Sequence, residues 1–280
     1  MKILFLSLSI FLCGNIANAQ KLHLNLFAGA MNYQGDLQDK NYTFNQAHLA
    51  GGLGLSYDLT DQFSIRGAAL FGKVSADDKF GRNKARNLNF TSRLYEAQLG
   101  LEYYIYPLAD HALTPYAFAS IAMYHFSPYT HDTSGNKVYL SPLSTEGEGF
   151  VDGIKNYKRS QFSIPFGAGV KLSLSENINV GLEVGFRKLF TDYLDDVSGA
   201  FVDQSALLTN RGATAVELAY RGDELKTGGV YPAAGTMRGS PEKKDWYYFT
   251  GLTLSFRLGG GAERSRLGRH SEYGCPVNVQ

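Results

Sequence analysis

The sequence predicts an all-β chain: an eight-stranded antiparallel transmembrane β-barrel with long extracellular loops. Three observations predict it. The 280 residues are 13% aromatic and 19% charged, with 31 Gly and 18 each of Tyr and Phe; strand and turn formers abound, and the residue mix of long helices is scarce. Apolar and polar residues alternate with period two in segments of about ten residues, the pattern of barrel strands. The connections alternate between short and long, as in barrels with turns on one rim and loops on the other.

Leu22, Leu24, Leu26 and Ala30 share one face of the first strand, opposite His23 and Asn25. In the second, Leu49, Leu53, Leu55 and Tyr57 oppose His48, Gly52, Gly54 and Ser56. Phe63, Ile65, Ala69 and Phe71 oppose Ser64 and Arg66 in the third. The fourth sets Tyr95, Ala97, Leu99, Leu101, Tyr103 and Ile105 against Glu96, Gln98, Gly100 and Glu102. The fifth, Tyr116–Phe126, is apolar on both faces, and its sides are not assignable from the pattern. The sixth and seventh form the stretch Phe162–Phe186, where Phe166, Val170, Leu182 and Val184 alternate with Gly167, Lys171, Gly181 and Glu183. In the eighth, Trp246, Tyr248, Leu252, Leu254, Phe256 and Leu258 oppose Tyr247, Gly251, Thr253, Ser255 and Arg257. Pro165 lacks a ladder donor, so a local bulge is expected there.

Tight links fall at Asp58–Gln62, Pro107–Leu113 and Ser175–Asn177, and long ones of 15, 17, 33 and 58 residues at 32–46, 75–91, 127–159 and 188–245. The two longest do not suit a compact soluble domain. The less apolar face is rich in Gly, Ser and Gln, which suits the narrow interior of an eight-stranded barrel. Its charges, Arg66, Lys171, Arg187 and Arg257 against Glu96, Glu102 and Glu183, can pair inside. Inverting the sheet would put Lys171 and Arg187 in hydrocarbon at roughly 2–4 kcal/mol each. Tyr57, Tyr95, Tyr103, Trp246 and Tyr248 lie near strand ends, where aromatic girdles belong. A secreted lipocalin-like barrel would carry many Lys, Glu, Asp and Thr outside, and neither face here does.

At the N-terminus, Met1-Lys2, the apolar run Ile3–Cys13 and Ala17-Asn18-Ala19 read as a signal peptide over residues 1–19, too short to span a membrane as a helix. Its cleavage leaves a barrel region over 20–258 and a periplasmic tail over 259–280. The mature chain then balances 26 basic against 26 acidic residues and keeps one cysteine, Cys275. One thiol makes no internal disulfide, and whether it pairs with a partner is not legible. The balanced charge points to no nucleic-acid partner.

The stretches "LSPLSTEGEGF" (Leu140–Phe150), "FSIPFGAGVKLSL" (Phe162–Leu174) and "EVGFRKLFTDYLDDVSGAFVD" (Glu183–Asp203) resemble, in that order, the PorG-like family of small outer-membrane barrels. "MNYQGDL" (Met31–Leu37) and "SADD" (Ser75–Asp78) are similar to its first and second loops. The resemblance runs over most of 22–258, with "TEG" and "TDYLDDVSG" its most specific parts, and leaves out Ser205–Lys244. It implies an outer-membrane location and lipids as surroundings. Some members serve the type IX protein secretion system, which implies a scaffolding role and periplasmic ring subunits as partners.

The candidate sites are few. Glu183 and Arg187, four apart on one strand, share the interior with Arg66, Glu96, Glu102 and Lys171, where they either gate solutes or simply satisfy buried charge. Asp192, Asp195, Asp196 and Asp203 offer hard oxygen ligands for calcium, but their spacing is not that of an EF-hand. The simpler reading is a capped helical turn on the barrel mouth, with Thr191 or Asp192 as N-cap. His125, Ser127, His131 and Asp132 are the close Ser/His/Asp group a rim-located lipid-modifying enzyme would need, without a recognisable motif. Arg264, Arg266 and Arg269 of the tail suit a lipid phosphate or a partner; the simpler reading is a disordered end. No Cys/His metal spacing, phosphate-binding glycine loop or basic-aromatic patch is present, and no cofactor is implied. The functional expectation is a non-enzymatic structural barrel, with an OmpA/OmpX-like role in membrane integrity or adhesion as the rival.

Overall fold

The computed structural model describes residues 21–258, apart from 39, 41, 42 and 109. The expected signal peptide, the tail with its arginines, and Cys275 lie outside the described residues. The strands are β1 (Leu22–Gln34), β2 (His48–Asp58), β3 (Phe63–Asp77), β4 (Asn89–Tyr104), β5 (Leu113–His131), β6 (Lys137–Tyr139), β7 (Ser160–Ser173), β8 (Ile178–Leu189) and β9 (Trp246–Leu258). Their order, β4-β3-β2-β1-β9-β8-β7-β5, is closed by pairing of β4 with β5. Eight antiparallel strands therefore form a closed barrel. β6 is a short addition to the far end of β5, with Tyr129 opposite Tyr139.

The strands run further toward the long loops than the alternation indicates. Ser75–Asp77, expected in a loop, end β3, and β5 continues to His131. Two short helices, α1 (Gln204–Arg211) and α2 (Ala213–Ala219), lie at the start of the stretch that the resemblance leaves out.

Polarity decides which face meets what. Leu53, Leu99, Ile121 and Phe162 are 57–67% exposed, whereas Arg66, Glu96, Lys171 and Arg187 are at most 5% exposed. Hydrocarbon outside and charge inside is the polarity of a membrane-spanning barrel. The band has visible margins. Phe63 and Tyr103 lie side by side at the short-turn end, with ring centroids 4.9 Å apart. Phe71 faces Tyr95 at the other end, and one pleat beyond them exposed Lys73 faces exposed Arg93. The eight-residue step from Tyr95 to Tyr103 covers about 27 Å along the strand, or about 20 Å at a tilt near 40°, of the order of a bilayer's hydrocarbon. Tyr248 departs from the girdle expected of it: it is buried under Phe186 (centroids 5.4 Å apart) and bonded to Gln34.

β5 resolves as aromatic inside and smaller outside. Tyr116, Phe118 and Tyr124 point inward, while Ala117, Ala119 and Met123 point out. Glycines on the neighbouring strands make this possible. A Cβ on Gly169 would lie 2.6 Å from the Tyr116 ring, and one on Gly167 would lie 2.9 Å from the Phe118 ring. Pro165 makes no bulge. The β5–β7 register is the same on both sides of it, Ala119 opposite Phe166 and Ala122 opposite Ser163. Only the pairing of the two intervening residues is lost, and the buried Ser120 hydroxyl there has no hydrogen-bond partner.

Leu99 lies midway between Tyr95 and Tyr103 on the outer face. Leu99→Arg should cost about 2–4 kcal/mol of folding free energy in lipid vesicles, measured by urea titration, while the same change at exposed Lys73 should cost almost nothing.

Candidate functional site

The interior is built from the middle of the barrel outward. Arg66 of β3 reaches across to β8, donating from Nη1 to Glu183 Oε2 at 2.7 Å and from Nη2 to Glu183 Oε1 at 3.2 Å. Its Nη1 also reaches Glu102 Oε2 at 3.3 Å, and its guanidinium lies 4.3 Å from the centroid of the Phe118 ring. Tyr116 donates to Glu183 at 2.9 Å. Lys171 donates to Glu102 and, at 2.8 Å, to the Tyr104 hydroxyl. One storey nearer the long loops, Arg187 grips Glu96 with Nε and Nη2 at 3.2 and 3.3 Å, and Tyr247 donates to the same carboxylate. All six expected charges are thus brought together, in two groups. Arg257 is not: it is half-buried near the end of β9. Three cations meet three carboxylates, so the lumen is neutral. The space left among Arg66, Glu102, Lys171 and Glu183 is about 10 Å³, no more than one water needs.

Above this lies a second structure that the strand pattern does not reveal. The segment after β8 turns back into the mouth, burying Leu194 and Val197 completely against Tyr33, Phe90 and Tyr247. It is a tight turn with Asp196 at φ 68°, not the expected helical turn. Thr191 Oγ1 does accept from Tyr193 N at 3.2 Å. The stretches singled out as specific in the sequence meet here. Thr145 donates to Asp196 Oδ2 at 2.9 Å, and Glu146 accepts from Ser198 N at 2.9 Å and from Gly199 N at 2.7 Å. Tyr33 donates toward Asp195, and Asp78 holds Arg86 through Nε at 2.8 Å and Nη2 at 2.7 Å. Arg238 ties the set together, donating to Glu146 at 3.0 Å, to Asp196 O at 2.6 Å and to Ala219 O at 3.2 Å. Arg86 in turn donates to Arg238 O.

The four carboxylates weighed for calcium do not gather. Asp192 takes Ser198 Oγ and Lys244 Nζ, Asp195 takes Tyr33 and Val197 N, Asp196 takes Thr145 and Tyr157, and Asp203 caps α1 through Ala206 N. Among the described residues no group of three or more His, Cys, Asp or Glu is arranged to hold a metal ion. At the rim, His125 lies between Ser160 Oγ, 2.8 Å from Nδ1, and Ser127 Oγ, 3.4 Å from Nε2. Asp132 instead accepts from Asn136, so among the described residues no carboxylate is bonded to the His125 imidazole as a triad requires.

Sequence reasoning did not find Tyr33, Asp245, Arg238 or Tyr157. Tyr33 has one hydroxyl proton, yet its oxygen lies 2.6 Å from Asp195 Oδ2 and 3.0 Å from Asp245 Oδ1. It donates to only one of them, so a short contact to the other needs a proton on that carboxyl. Both carboxyls are buried, and burial pushes both well above the usual range; the neighbouring Asp36 pushes Asp195 the same way, and Asp195 does so to Asp245. Burial and the nearby Glu148 push Asp196 up to about 7, against the pull of Arg238. Arg86, the cation facing Asp195, is already paired with Asp78.

Comparison with known proteins adds the family. The chain matches the family described as "Domain of unknown function (DUF6089)" over residues 2–209, and belongs to it. No curated protein matches it. Among solved structures it is similar to Neisserial surface protein A, at 9% identity over 85% of this chain and 97% of that one with a TM-score of 0.42. It is also similar to a major outer membrane protein of Thermus thermophilus, at 12% identity over 85% and 99% with a TM-score of 0.40. OprG of Pseudomonas aeruginosa matches at 10% identity over 85% and 98%, with a TM-score of 0.38.

Two predictions arise from this geometry. Arg187→Met leaves Glu96 buried without a cation and should cost about 3–5 kcal/mol; the double variant with Glu96→Gln should recover part of that, and a double-mutant cycle in detergent measures it. The folded cap also holds protons that the unfolded chain releases near pH ~4. The folded state therefore binds more protons, and stability falls as pH rises, from about 4 to about 7 for Asp196, with the raised Asp195 and Asp245 carboxyls acting in the same direction. Thermal unfolding should occur at lower temperature at about pH 8 than at about pH 5, and Asp245→Asn, which keeps an acceptor for Leu194 N, should flatten that slope.

Proposed function

We propose that this chain is an outer-membrane β-barrel with a structural, non-enzymatic role, serving as a membrane-embedded scaffold of a type IX-like protein secretion apparatus. The observation that carries the reading is a solid barrel. A neutral network of six charges crosses the lumen, the space among Arg66, Glu102, Lys171 and Glu183 is about 10 Å³, and the turn around Leu194 is buried in the mouth. Such a body offers surfaces rather than passage. The secretion role is supported by the loop stretches that resemble PorG-like barrels, which here are the ones that build the cap. The barrel domain spans 20–258, its band meets outer-membrane lipids, and periplasmic ring subunits meet the short-turn end. There the links 59–62, 105–112 and 174–177 carry Asp61, Asp110 and Glu176 but no Lys or Arg.

A second reading, membrane integrity or adhesion in the manner of OmpA/OmpX-like barrels, is favoured by apolar side chains on the loop surface. Leu208 is 51%, Met237 59% and Val230 88% exposed.

Affinity capture of the tagged chain from cross-linked outer membranes should recover periplasmic ring subunits, and the deletion strain should retain its secreted cargo in the periplasm. Normal secretion by that strain would leave the adhesion reading. In planar bilayers the purified chain should produce no steps of conductance; ohmic steps would contradict the solid barrel.

A further inference from the structure

Two cavities of about 510 and 560 Å³ open side by side among the long loops and share Asp36, Arg82, Asn83 and Ser240. Together they form one groove of the size that small ligands occupy. The first cavity is walled by Gln34, Gln38, Lys243, Lys244 and Trp246. Arg82 and Lys243 are exposed, and Lys244 is held in place by Asp192 Oδ1 at 3.1 Å and Pro241 O at 2.7 Å. The one carboxylate in both cavities, Asp36, is turned to the protein: its Oδ2 accepts from Ser240 N at 2.9 Å, and burial raises its pKa. The groove therefore presents the exposed cations Arg82 and Lys243, the Asn83 amide, the Ser240 hydroxyl and the Trp246 indole, with Asp36 Oδ2 occupied; Gln34 and Gln38 are engaged, with Tyr248 and Thr43.

Its place in the barrel is the second observation. Trp246 begins β9 opposite Lys188, an exposed cation of β8, and stands edge-on to lipid-facing Phe166 with centroids 6.2 Å apart. The groove thus starts at the margin of the apolar band. That margin is basic: Lys73, Arg93, Arg159 and Lys188 are exposed on it. The opposite margin carries acidic turns.

We propose that the groove binds a phosphorylated saccharide, with Arg82 and Lys243 on the phosphate and Asn83, Ser240 and Trp246 against the sugar. Guanidinium and ammonium groups make the strong, short bonds to phosphate oxygens. Amides and a hydroxyl exchange hydrogen bonds with sugar hydroxyls, and an indole offers an apolar face beside a polar N–H. The ligand is either a glycolipid headgroup of the surrounding leaflet or a free phosphorylated sugar. The inference rests on the membrane placement proposed above.

Trp246 is the chain's only tryptophan, so its fluorescence reports on the groove. The full chain in phosphatidylcholine nanodiscs is titrated with a soluble, deacylated glucosamine-disaccharide bisphosphate. In a second arm its acylated form is incorporated in the disc. A saturable change in both arms supports a sugar-phosphate site; a change in the second arm alone supports it and assigns the source to the membrane. Arg82→Gln with Lys243→Gln should weaken binding by about tenfold or more, and the dephosphorylated disaccharide should give no response. An inserted, folded barrel that responds in neither arm overturns the groove alone, as does a response equal with the dephosphorylated sugar or the double variant. Failure to insert, seen as loss of β circular dichroism and heat-modifiable migration, overturns the membrane reading and this inference with it.

Discussion

Three carboxylates point into a cylinder too narrow for bulk water, and everything else in the structure is arranged so that each has a cation. Glu96 has Arg187, Glu102 has Lys171 and Arg66, and Glu183 has Arg66. Burying one of these charges alone would be prohibitive, so the pairs fix which strand lies across from which. Arg66 on β3 and Glu183 on β8 are 117 residues apart in sequence; their contact is meaningful only in a closed barrel. Aromatic rings then fill the volume the ion pairs leave, and interior glycines on β7 and β8 make room for them. The outer face, freed of charge, is left to hydrocarbon.

Toward the long loops the same strands obey a different rule. Above the pair Lys73 and Arg93 the wall continues, but its interior becomes an ordinary apolar core of Met31, Val74, Phe90, Leu194 and Val197. Several buried polar side chains there bond loop backbone rather than a partner across the lumen. Glu146 and Arg238 each serve backbone groups as well as each other, and Arg86 donates to Arg238 O, which joins three loops into one body. Tyr33 sits between two buried carboxyls, Asp195 and Asp245, whose pKa values burial raises, and the cation facing Asp195, Arg86, is paired with Asp78.

Much of this was legible in the chain. The alternation in Phe162–Phe186 gave the faces of β7 and β8 directly, and the interior charges followed from the rule that ionisable groups avoid lipid. β5 was opaque because Tyr116 and Phe118 are inside for a reason that lies on other strands, at Gly167 and Gly169. The cap was opaque for a similar reason. "TEG" and "TDYLDDVSG" stood out as words, but their partners Tyr33, Arg238 and Asp245 carry no local signal; only the folded mouth brings them together. Pro165 was expected to distort the ladder and merely interrupts it, since the neighbouring strand keeps its register. The aspartates after β8 read as a cluster in one dimension and separate in three.

The central claim is that the apolar face meets lipid. Nitroxide labels at Ile121, on the outer face of β5, and at Asp61, exposed in the turn between β2 and β3, test it most directly in lipid nanodiscs. The label at 121 should relax strongly with oxygen dissolved in the membrane and weakly with an aqueous nickel chelate, and the label at 61 should do the reverse. A label at 121 that responds to the nickel chelate as a water-exposed site does would contradict the account.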